Sequence, residues 1–419
     1  MREMKDSGIE WIGSIPTHWK TERLQWHITE IKETNKPEKS RQVLSLTNKR
    51  GVIPYEEKGA QGNVAKEDYS QYKLAYPGTI VANSMNILIG SVGRCDYYGC
   101  VSPVYYVYKP NEGENLEFIS FIFQMEQFQR ELRRYANGIL EIRLRVSSDG
   151  ILKREMAFPP IEEQERIVEY LGMKCSQVDD LIANVQAQIE KLRAYRQSVI
   201  TEVVIKGLDP TVPMKDSGFE WIGEIPAAWD TVRVKQLLRE RKERSAEGKE
   251  EPLSMSQKVG LVPTKTLDAI PNPASSYVGA KLAFVNDLVF NKLKAHLGVF
   301  SVSKYDGLVS PDYAVYYSTG VVDLKYLEYL FKTPQCISEF RKRSTGIAAG
   351  LTRLYTDGLF AIECPLPPKD EQQAIVAYLD GKWAQIDRLI AIKQAKIEKL
   401  EQYKKSLIYE YVTGKREVL

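Results

Sequence analysis

The chain has 419 residues, of which 43% are hydrophobic and 27% are charged, and its formal net charge is only +3. This composition is typical of globular domains and the length favours about two to four of them, while the mild charge alone does not identify a nucleic-acid binder. No run of about 18 apolar residues is present and the first residues lack the apolar core of a signal peptide, so we expect a cytoplasmic protein without a membrane segment. The five cysteines form no tight paired cluster, which favours free buried thiols over disulfides or a zinc site.

A duplicated leader opens the chain and recurs at its middle. Residues 4–19 read MKDSGIEWIGSIPTHW and residues 214–229 read MKDSGFEWIGEIPAAW, with 12 of 16 positions identical. The correspondence continues to the end of the chain at an offset of 208 residues, which pairs Asn83 with Asn291. Solenoid repeats are only roughly 20–50 residues long, so this period predicts two tandem copies of a domain-sized unit. We call them the first and second repeats.

Each leader precedes a segment that predicts mixed α and β structure. A glycine followed by proline predicts turns within 45–54 and 254–263. Runs rich in β-branched and aromatic residues predict strands at 79–85, 103–108, 287–293 and 311–316. Apolar residues at helical spacing predict one helix over 116–135, and a counterpart from Leu324 that breaks or bends at Pro334. These segments define globular domains at residues 1–158 and 209–366.

A helical spacer follows each globular domain, at 159–208 and 367–419, and its long helical pattern runs to about Val204 in the first repeat and to about Tyr411 in the second. Prolines followed by acidic residues favour a helix start at both places. About 40 residues of each segment can stay helical, over roughly 60 Å. The apolar residues recur every three or four positions, as in the seam of a coiled coil, at Val178, Ile182, Val185, Ile189, Leu192 and Val199, and at Ile386, Ile390, Ile397, Leu400 and Leu407.

The duplication also predicts how the long helices pair. If a two-fold axis relates the repeats, the helices must pack antiparallel. The predicted fold class is therefore α+β, with two mixed α/β domains, each followed by a long helix, and the helices paired as an antiparallel coiled coil with pseudo-two-fold symmetry. The alternative is that each helix packs only on its own domain.

Catalytic and metal-binding patterns are missing from the sequence. It has no phosphate-binding loop and no glycine-rich cofactor turn, and its three histidines lack metal-ligand spacing. Asp312, Asp323 and Lys325 resemble the carboxylate and lysine set of magnesium-dependent nucleases. However, the first repeat has Val104 in place of Asp312, and Asp323 lies where a helix N-cap is expected. We therefore expect no catalytic residue, no bound metal and no cofactor in this chain.

Basic and amide side chains recur at glycine-marked loops in both repeats. Arginine and lysine can donate to guanine edges, asparagine can pair with adenine, and cations neutralise phosphates. Any one of these residues is more simply explained as a solvated surface charge, but the recurring sets favour binding to double-stranded DNA. The candidate DNA-binding residues are Lys49, Arg50, Asn83, Arg94, Arg133, Arg134, Arg143 and Arg145 in the first repeat, and Lys258, Asn291, Lys292, Lys294, His296, Arg341, Arg343 and Arg353 in the second.

Residues shared between the repeats and residues that differ favour different roles. Arg145 corresponds to Arg353, and Lys73 to Lys281. Such shared residues are better candidates for phosphate contacts or for structure. Residues that differ within the same loops are better candidates for reading sequence, because two identical domains would read the same bases.

Three motifs together resemble the specificity subunit of Type I restriction–modification enzymes. They are the Glu-Trp-Ile-Gly-x-Ile-Pro leader, the Pro-Pro-x-x-Glu-Gln helix start, and the closing Val412-Thr413-Gly414-Lys415. The resemblance covers the whole chain, including the order of motifs and their duplication. It implies that residues 1–158 and 209–366 are target recognition domains, each reading one half of a split, asymmetric DNA site.

The resemblance also implies a set of partners. The helical segments would set the gap between the half-sites and bind two modification (methyltransferase) subunits that carry S-adenosylmethionine. Restriction subunits with ATP-driven translocase and nuclease activity, and hence ATP and Mg²⁺, would complete the complex. Two other functions stay open at this point: a stand-alone DNA-binding regulator, and a coiled-coil scaffold with no role on nucleic acid.

Overall fold

The computed structural model describes residues 2–47, 50–58, 68–138, 144–257, 259–267, 276–346 and 352–418. Two compact units make up the chain. Unit 1 comprises Met1–Gln186 and Gln394–Leu419, and unit 2 comprises Ala187–Lys393. Both divisions fall inside long helices, so each unit contains one globular domain and a part of each long helix.

Short antiparallel strands build the globular part of unit 1. A four-stranded sheet has the order β4-β11-β8-β9, and the other strands pair two by two. The strands are β1 Met4–Asp6, β2 Ser14–Pro16, β3 Lys20–Arg23, β4 Ile28–Ile31, β5 Leu44–Thr47, β6 Gly51–Pro54, β7 Lys73–Ala75, β8 Thr79–Asn83, β9 Val92–Cys95, β10 Gly99–Val101, β11 Tyr105–Pro110, β12 Ala136–Asn137, β13 Arg145–Val146 and β14 Glu155–Phe158. The helices of this repeat are α1 Leu116–Gln124, α2 Glu126–Arg133, α3 Ser148–Leu152 and α4 Ile161–Lys206.

Unit 2 repeats this arrangement. Its four-stranded sheet has the order β18-β25-β22-β23. The strands are β15 Met214–Asp216, β16 Glu224–Pro226, β17 Asp230–Arg233, β18 Leu238–Glu240, β19 Leu253–Ser256, β20 Gly260–Pro263, β21 Lys281–Ala283, β22 Leu288–Asn291, β23 Phe300–Val302, β24 Gly307–Val309, β25 Tyr313–Ser318 and β26 Glu363–Leu366. The helices are α5 Val234–Leu237, α6 Leu324–Phe331, α7 Pro334–Arg343, α8 Thr356–Phe360 and α9 Lys369–Val412.

One of the two inner strands of each four-stranded sheet, β8 in unit 1 and β22 in unit 2, contributes residues to cores on both faces of the sheet. In β8, Ile80 and Ala82 belong to the large core that includes the helices, whereas Val81 belongs to a smaller core under the β5–β6 hairpin. In β22, Leu288 and Phe290 face the large core while Val289 faces the smaller one. This alternation follows from the two-residue period of a strand, and it explains why these sequences are almost continuously apolar.

Inside each unit, segments of α4 and α9 run in opposite directions. In unit 1, the Tyr170 and Tyr411 ring centroids lie 4.7 Å apart, and Lys404 Nζ lies 2.6 Å from a carboxylate oxygen of Asp179. In unit 2, Lys393 Nζ donates to Gln188 Oε1 at 2.5 Å, and Arg196 Nη1 lies 2.8 Å from Asp387 Oδ1. The positions on α9 therefore fall as those on α4 rise. The predicted seam residues Val185 and Ile386 are buried, as this pairing requires.

The structure corrects two details of the predicted elements. The predicted single helix over 116–135 is wrong, because Met125 adopts an extended conformation (φ −71°, ψ 126°) between α1 and α2. The second repeat breaks at the same place, and there Pro334 at the start of α7 is the predicted signal. The predicted turn segments also contain paired strands, because Ser45 pairs with Ile53 in β5–β6 and Ser254 pairs with Val262 in β19–β20.

A candidate nucleic-acid interface in each unit

A tight turn follows the inner strand β8 in unit 1 and the inner strand β22 in unit 2. We call residues 83–90 in unit 1 and 291–298 in unit 2 the strand-end turns. In unit 2, the Asn291 side-chain oxygen accepts from the Leu293 amide at 3.1 Å, and the Gly298 amide donates to the Ala295 carbonyl at 2.9 Å. Gly298 has φ +75°, a left-handed conformation that residues with a Cβ rarely adopt. Asparagine and glycine thus fix the two ends of the turn.

Unit 1 builds the same turn with different side chains. The Asn83 oxygen accepts from the Met85 amide at 3.0 Å, and Gly90 has φ +80°. The Ile89 amide donates to the Asn86 carbonyl at 3.1 Å, as Leu297 does to Lys294 at 3.0 Å. One backbone therefore carries Ser-Met-Asn-Ile-Leu-Ile in unit 1 and Lys-Leu-Lys-Ala-His-Leu in unit 2.

The structure brings the shared arginines beside these turns. The Val146 amide donates to the Ser84 carbonyl at 3.1 Å, which places β13 and its Arg145 against the first turn. In unit 2, the Leu354 amide donates to the Lys292 carbonyl at 3.0 Å, which places Arg353 in the equivalent position. A hairpin tip also meets the second turn, because Gln257 Nε2 donates to the Leu297 carbonyl at 3.4 Å.

Three of the five predicted arginines of unit 1 that the structure describes, Arg50, Arg94 and Arg134, pair with nearby carboxylates. Arg50 pairs with Glu57 at 2.5 Å, and Arg94 pairs with Asp96 at 2.7 Å and also with Glu117. Hydrogen bonding to Glu117 raises the pKa of the Arg94 guanidinium further above its ordinary value. In contrast, Arg145 is exposed and has no ion pair with any residue that the structure describes.

Arg134 and Arg133 lie at the end of α2, and Arg133 lines a surface cavity together with Leu88, Ile89 and Gly90 of the strand-end turn. Arg134 pairs with Glu131 at 3.2 Å and with Glu10 of the leader at 3.4 Å. Arg133 is exposed in the last turn of the helix. Asn83 itself is buried, and its side-chain oxygen serves the turn. Lys49, Lys258 and Arg143 lie outside the described residues.

Unit 2 gathers more positive charge at its turn. Lys294 is exposed and pairs with no described carboxylate, and Lys292 Nζ lies 3.3 Å from the Pro311 carbonyl. Arg353 Nη2 lies 3.2 Å from Asp312 Oδ1, so this cation is partly neutralised. His296 is half-buried, and its Nδ1 is enclosed without a hydrogen-bond partner among the described residues.

The remaining predicted cations of unit 2 belong to helix α7. Arg341 is exposed near its end, and Arg343 Nη2 lies 3.5 Å from Glu339 Oε2. The shared lysines have structural positions. Lys73 pairs with half-buried Glu30 at 3.3 Å, and Lys281 Nζ donates to the Tyr313 carbonyl at 2.6 Å, where burial lowers its pKa.

Sequence reasoning missed three exposed residues of the turns. Asn86 occupies the position of Lys294, and Ile89 and Leu297 are 68% and 50% exposed at equivalent positions. The 208-residue offset pairs Asn86 with Lys294, so a full alignment of the two repeats was the signal that could have identified them.

The nuclease-like residues have other roles. The Asp323 carboxylate caps α6 by accepting from the Lys325 amide at 2.7 Å, as the N-cap prediction required, and Asp312 pairs with Arg353. Across the described ranges, no group of three or more His, Cys, Asp and Glu side chains could hold a metal ion. No helix in the part of the chain that the structure describes is long and apolar enough to cross a membrane.

Comparison with known proteins tests the resemblance to Type I specificity subunits. No family model matches the chain. A putative type I restriction enzyme MjaX specificity subunit from Methanocaldococcus jannaschii is 25% identical over 428 aligned residues, which cover 96% of this chain and 95% of the relative. The chain is a homologue of Type I restriction enzyme specificity subunits. A second specificity subunit of that organism, MjaVIII, is also 25% identical, over 62% of each chain.

Solved structures of Type I systems share the fold of this specificity-subunit homologue. A chain from a study of complex assembly and conformational transition of the type I R-M system superposes with a TM-score of 0.70 at 16% identity, covering 95% of this chain and 98% of that one. The HsdS subunit from Thermoanaerobacter tengcongensis gives a TM-score of 0.51 at 17% identity over 96% and 98%. The predicted mixed α/β fold with two long helices is therefore confirmed.

Proposed function

We propose that this chain is the DNA sequence-specificity subunit of a Type I restriction–modification complex, in which each unit reads one half of a bipartite, asymmetric DNA site. The observation that carries this proposal is the pair of strand-end turns. Both have the same backbone hydrogen bonds, yet their outward side chains differ. Two domains that share one turn backbone but expose different side chains on it suit a DNA site whose two halves have different sequences.

The surroundings of each turn suit double-stranded DNA. Exposed Lys294 and Arg145 can neutralise phosphates or donate to base edges. The other candidates, including Arg133, Arg341 and the residues outside the described ranges, would extend this surface along the backbone. The ion-paired arginines Arg50, Arg94 and Arg134 would bind phosphate only by exchanging a carboxylate for it, so we expect them to contribute less.

Residues 1–158 and 209–366 would form the two target recognition domains, and 159–208 and 367–419 the helical spacers. We propose that α4 and α9 pair throughout as an antiparallel coiled coil with pseudo-two-fold symmetry. The opposite directions of their segments within each unit support this pairing. Such a pair of helices would set the gap between the half-sites.

The chain would act in the cytoplasm with catalytic partners. The helical spacers would dock two modification subunits, which would supply S-adenosylmethionine and methyl transfer, and restriction subunits would supply the ATP- and Mg²⁺-dependent steps. This chain is a specificity subunit and not an enzyme, in keeping with its homologues. A stand-alone regulator or a coiled-coil scaffold is not favoured, because the homology extends along 96% of the chain.

A methylome measurement tests the proposal directly. The chain would be co-expressed with the methyltransferase encoded beside it in a host that lacks the modification, and the host DNA would be read by long-read sequencing. We expect new adenine methylation at a two-part motif with a fixed gap. An assembled, cofactor-binding complex that leaves the DNA unmodified would contradict the proposal and favour the regulator or scaffold.

A further inference from the structure

One exposed side chain in each strand-end turn, Asn86 or Lys294, makes none of the described hydrogen bonds that hold the turn. Their backbone and the Asn83 and Asn291 side chains make the hydrogen bonds that hold the turns. Neither Asn86 nor Lys294 makes a side-chain capping bond to the short helical turn that it precedes. Both are exposed and have no side-chain hydrogen bond to any described residue. The side chain at this position can therefore vary without loss of the fold.

An exposed aliphatic residue stands three positions later in both turns. Ile89 and Leu297 are 68% and 50% exposed, although Ile87 and Ala295, two positions before them, are buried. A single exposed aliphatic side chain is common on protein surfaces and carries little weight. Here the same position is aliphatic in both repeats, beside a hydrogen-bonding side chain and a shared arginine. That combination suits a base edge, where donors or acceptors alternate with thymine methyl groups.

We infer that the strand-end turn is the base-reading element of each unit, with Asn86 and Lys294 as the specificity-determining residues. This inference rests on the proposed function and deepens it. Lys294 would donate to the O6 and N7 acceptors of guanine, whereas the Asn86 amide would pair with the N6 and N7 edge of adenine. Ile89 and Leu297 would make the accompanying apolar contact with a neighbouring base pair.

A protein surface is the competing occupant of the turns. A docked methyltransferase subunit could also cover an exposed lysine and leucine. Charge favours DNA, because the second turn gathers Lys292, Lys294 and Arg353 against one nearby carboxylate, Asp312, among the described residues. The first turn has Val104 at the position of Asp312 and keeps an exposed Arg145.

The test is a reciprocal exchange, Asn86→Lys in one variant and Lys294→Asn in another. Each would be co-expressed with the methyltransferase, and the methylome and the in vitro methylation rate of synthetic duplexes would be measured. We expect Asn86→Lys to change the sequence of the first half-site alone, towards guanine at one position. The methylation rate of duplexes with the original half-site should fall at least about tenfold. Lys294→Asn should change the second half-site alone.

Two controls separate the possible causes. Gln71→Lys adds the same charge at an exposed amide of unit 1 outside the turn, and it should leave both half-site sequences unchanged. Size-exclusion chromatography of each variant complex reports assembly with the methyltransferase. In one outcome, a variant assembles poorly with the methyltransferase, while the complex that does form still methylates both original half-site sequences. That result would overturn base reading in favour of a protein contact.

Other outcomes are also decisive. If both variants methylate the original half-site sequences at the wild-type rate, the inference is overturned while the proposed function stays intact. An equal loss of methylation rate on every duplex would assign the two side chains to phosphates and overturn it too. If the unsubstituted chain directs no two-part motif, the proposed function itself fails, and the inference fails with it.

Discussion

The indole Nε1 of Trp19 donates to Glu163 Oε2 at 3.1 Å, and Trp229 makes the same bond to Glu371 at 2.8 Å. Each tryptophan closes a leader, and each glutamate lies in the first turn of a long helix. The two motifs that carry the family resemblance within each repeat are therefore in direct contact. Trp19 and Trp229 are fully buried, so the glutamate supplies the partner that a buried indole N–H requires.

Replacement of Glu163 should destabilise unit 1. Its carboxylate also accepts from His18 at 2.8 Å and from Arg2, and its side chain is 8% exposed. Glu163→Gln would leave buried donors with weaker partners, so we expect the free energy of unfolding to fall by about 1–3 kcal/mol. Thermal denaturation checks this. The neighbouring Glu162→Gln removes the same charge at an exposed site and should change little; equal effects of both variants would contradict the prediction.

The same contact predicts a loss of stability in acid. Burial by itself would raise the pKa of Glu163, but hydrogen bonds from His18, Arg2 and Trp19 outweigh it and hold the pKa below its ordinary value. A lowered folded-state pKa gives stability that is present above the unfolded value of about 4.3 and is lost as the pH falls through the folded pKa. The difference in melting temperature between the unsubstituted chain and Glu163→Gln should therefore shrink from about pH 6 to pH 3. A constant difference over that range would exclude the linkage.

The buried hydroxyl of Tyr326 offers a test of the core of unit 2. It donates to the carbonyls of Val204 and Pro365 at 3.0 and 3.2 Å, and the equivalent residue of the first repeat is the fully buried Phe118. Tyr326→Phe therefore keeps a ring that fits this fold, and the lost hydrogen bond should lower the free energy of unfolding by about 1 kcal/mol. Urea denaturation checks this, with Tyr305→Phe, at a 40% exposed residue, as the control. An unchanged unfolding midpoint would show that the hydroxyl contributes nothing.

The sequence predicted the elements best where local physics decides them. The heptad pattern and the acidic helix starts predicted α4 and α9 to within about two residues of their observed ends, and Pro334 predicted the break before α7. The break at Met125 had no such signal. It depends on tertiary packing, because Met125 is itself buried in the core of unit 1 between α1 and α2.

The candidate site was less predictable, since a list of basic residues does not show which of them are already paired. Arg94 and Arg145 are both arginines in strands, but two acidic residues neutralise Arg94, one two positions later in the sequence and one on α1. Asn83 fits an adenine reader by residue type, yet its oxygen serves the turn. The exposed Asn86 lies three residues later, and the alignment of the repeats pairs it with Lys294, but only the structure shows that both side chains are exposed on equivalent turns.

The ion pair between Arg353 and Asp312 should restrain DNA binding by unit 2. Asp312→Asn keeps a hydrogen-bond acceptor but removes the negative charge that opposes phosphate. We expect the methyltransferase complex to bind its DNA more tightly, and the slope of log affinity against log salt to steepen by about one. Fluorescence anisotropy at several salt concentrations measures both. Lys249→Ala, at a residue paired with Glu247 in another loop, should leave the slope unchanged; weaker binding by Asp312→Asn would show that the carboxylate positions Arg353 productively.

The long helices make the most specific prediction about the DNA gap. The units divide at Gln186 and Ala187 in α4 and at Lys393 and Gln394 in α9, so seven residues inserted at both places leave each unit intact and preserve the heptad pattern. Seven residues lengthen a helix by about 10.5 Å, which corresponds to about three base pairs at roughly 3.4 Å each. We expect the methylome motif to keep both half-site words while its gap grows by about three base pairs. The same heptad inserted after Gly113, in an exposed turn of unit 1, should leave the gap unchanged. If the double insertion alters a half-site sequence instead of the gap, the helices do not act as the spacer.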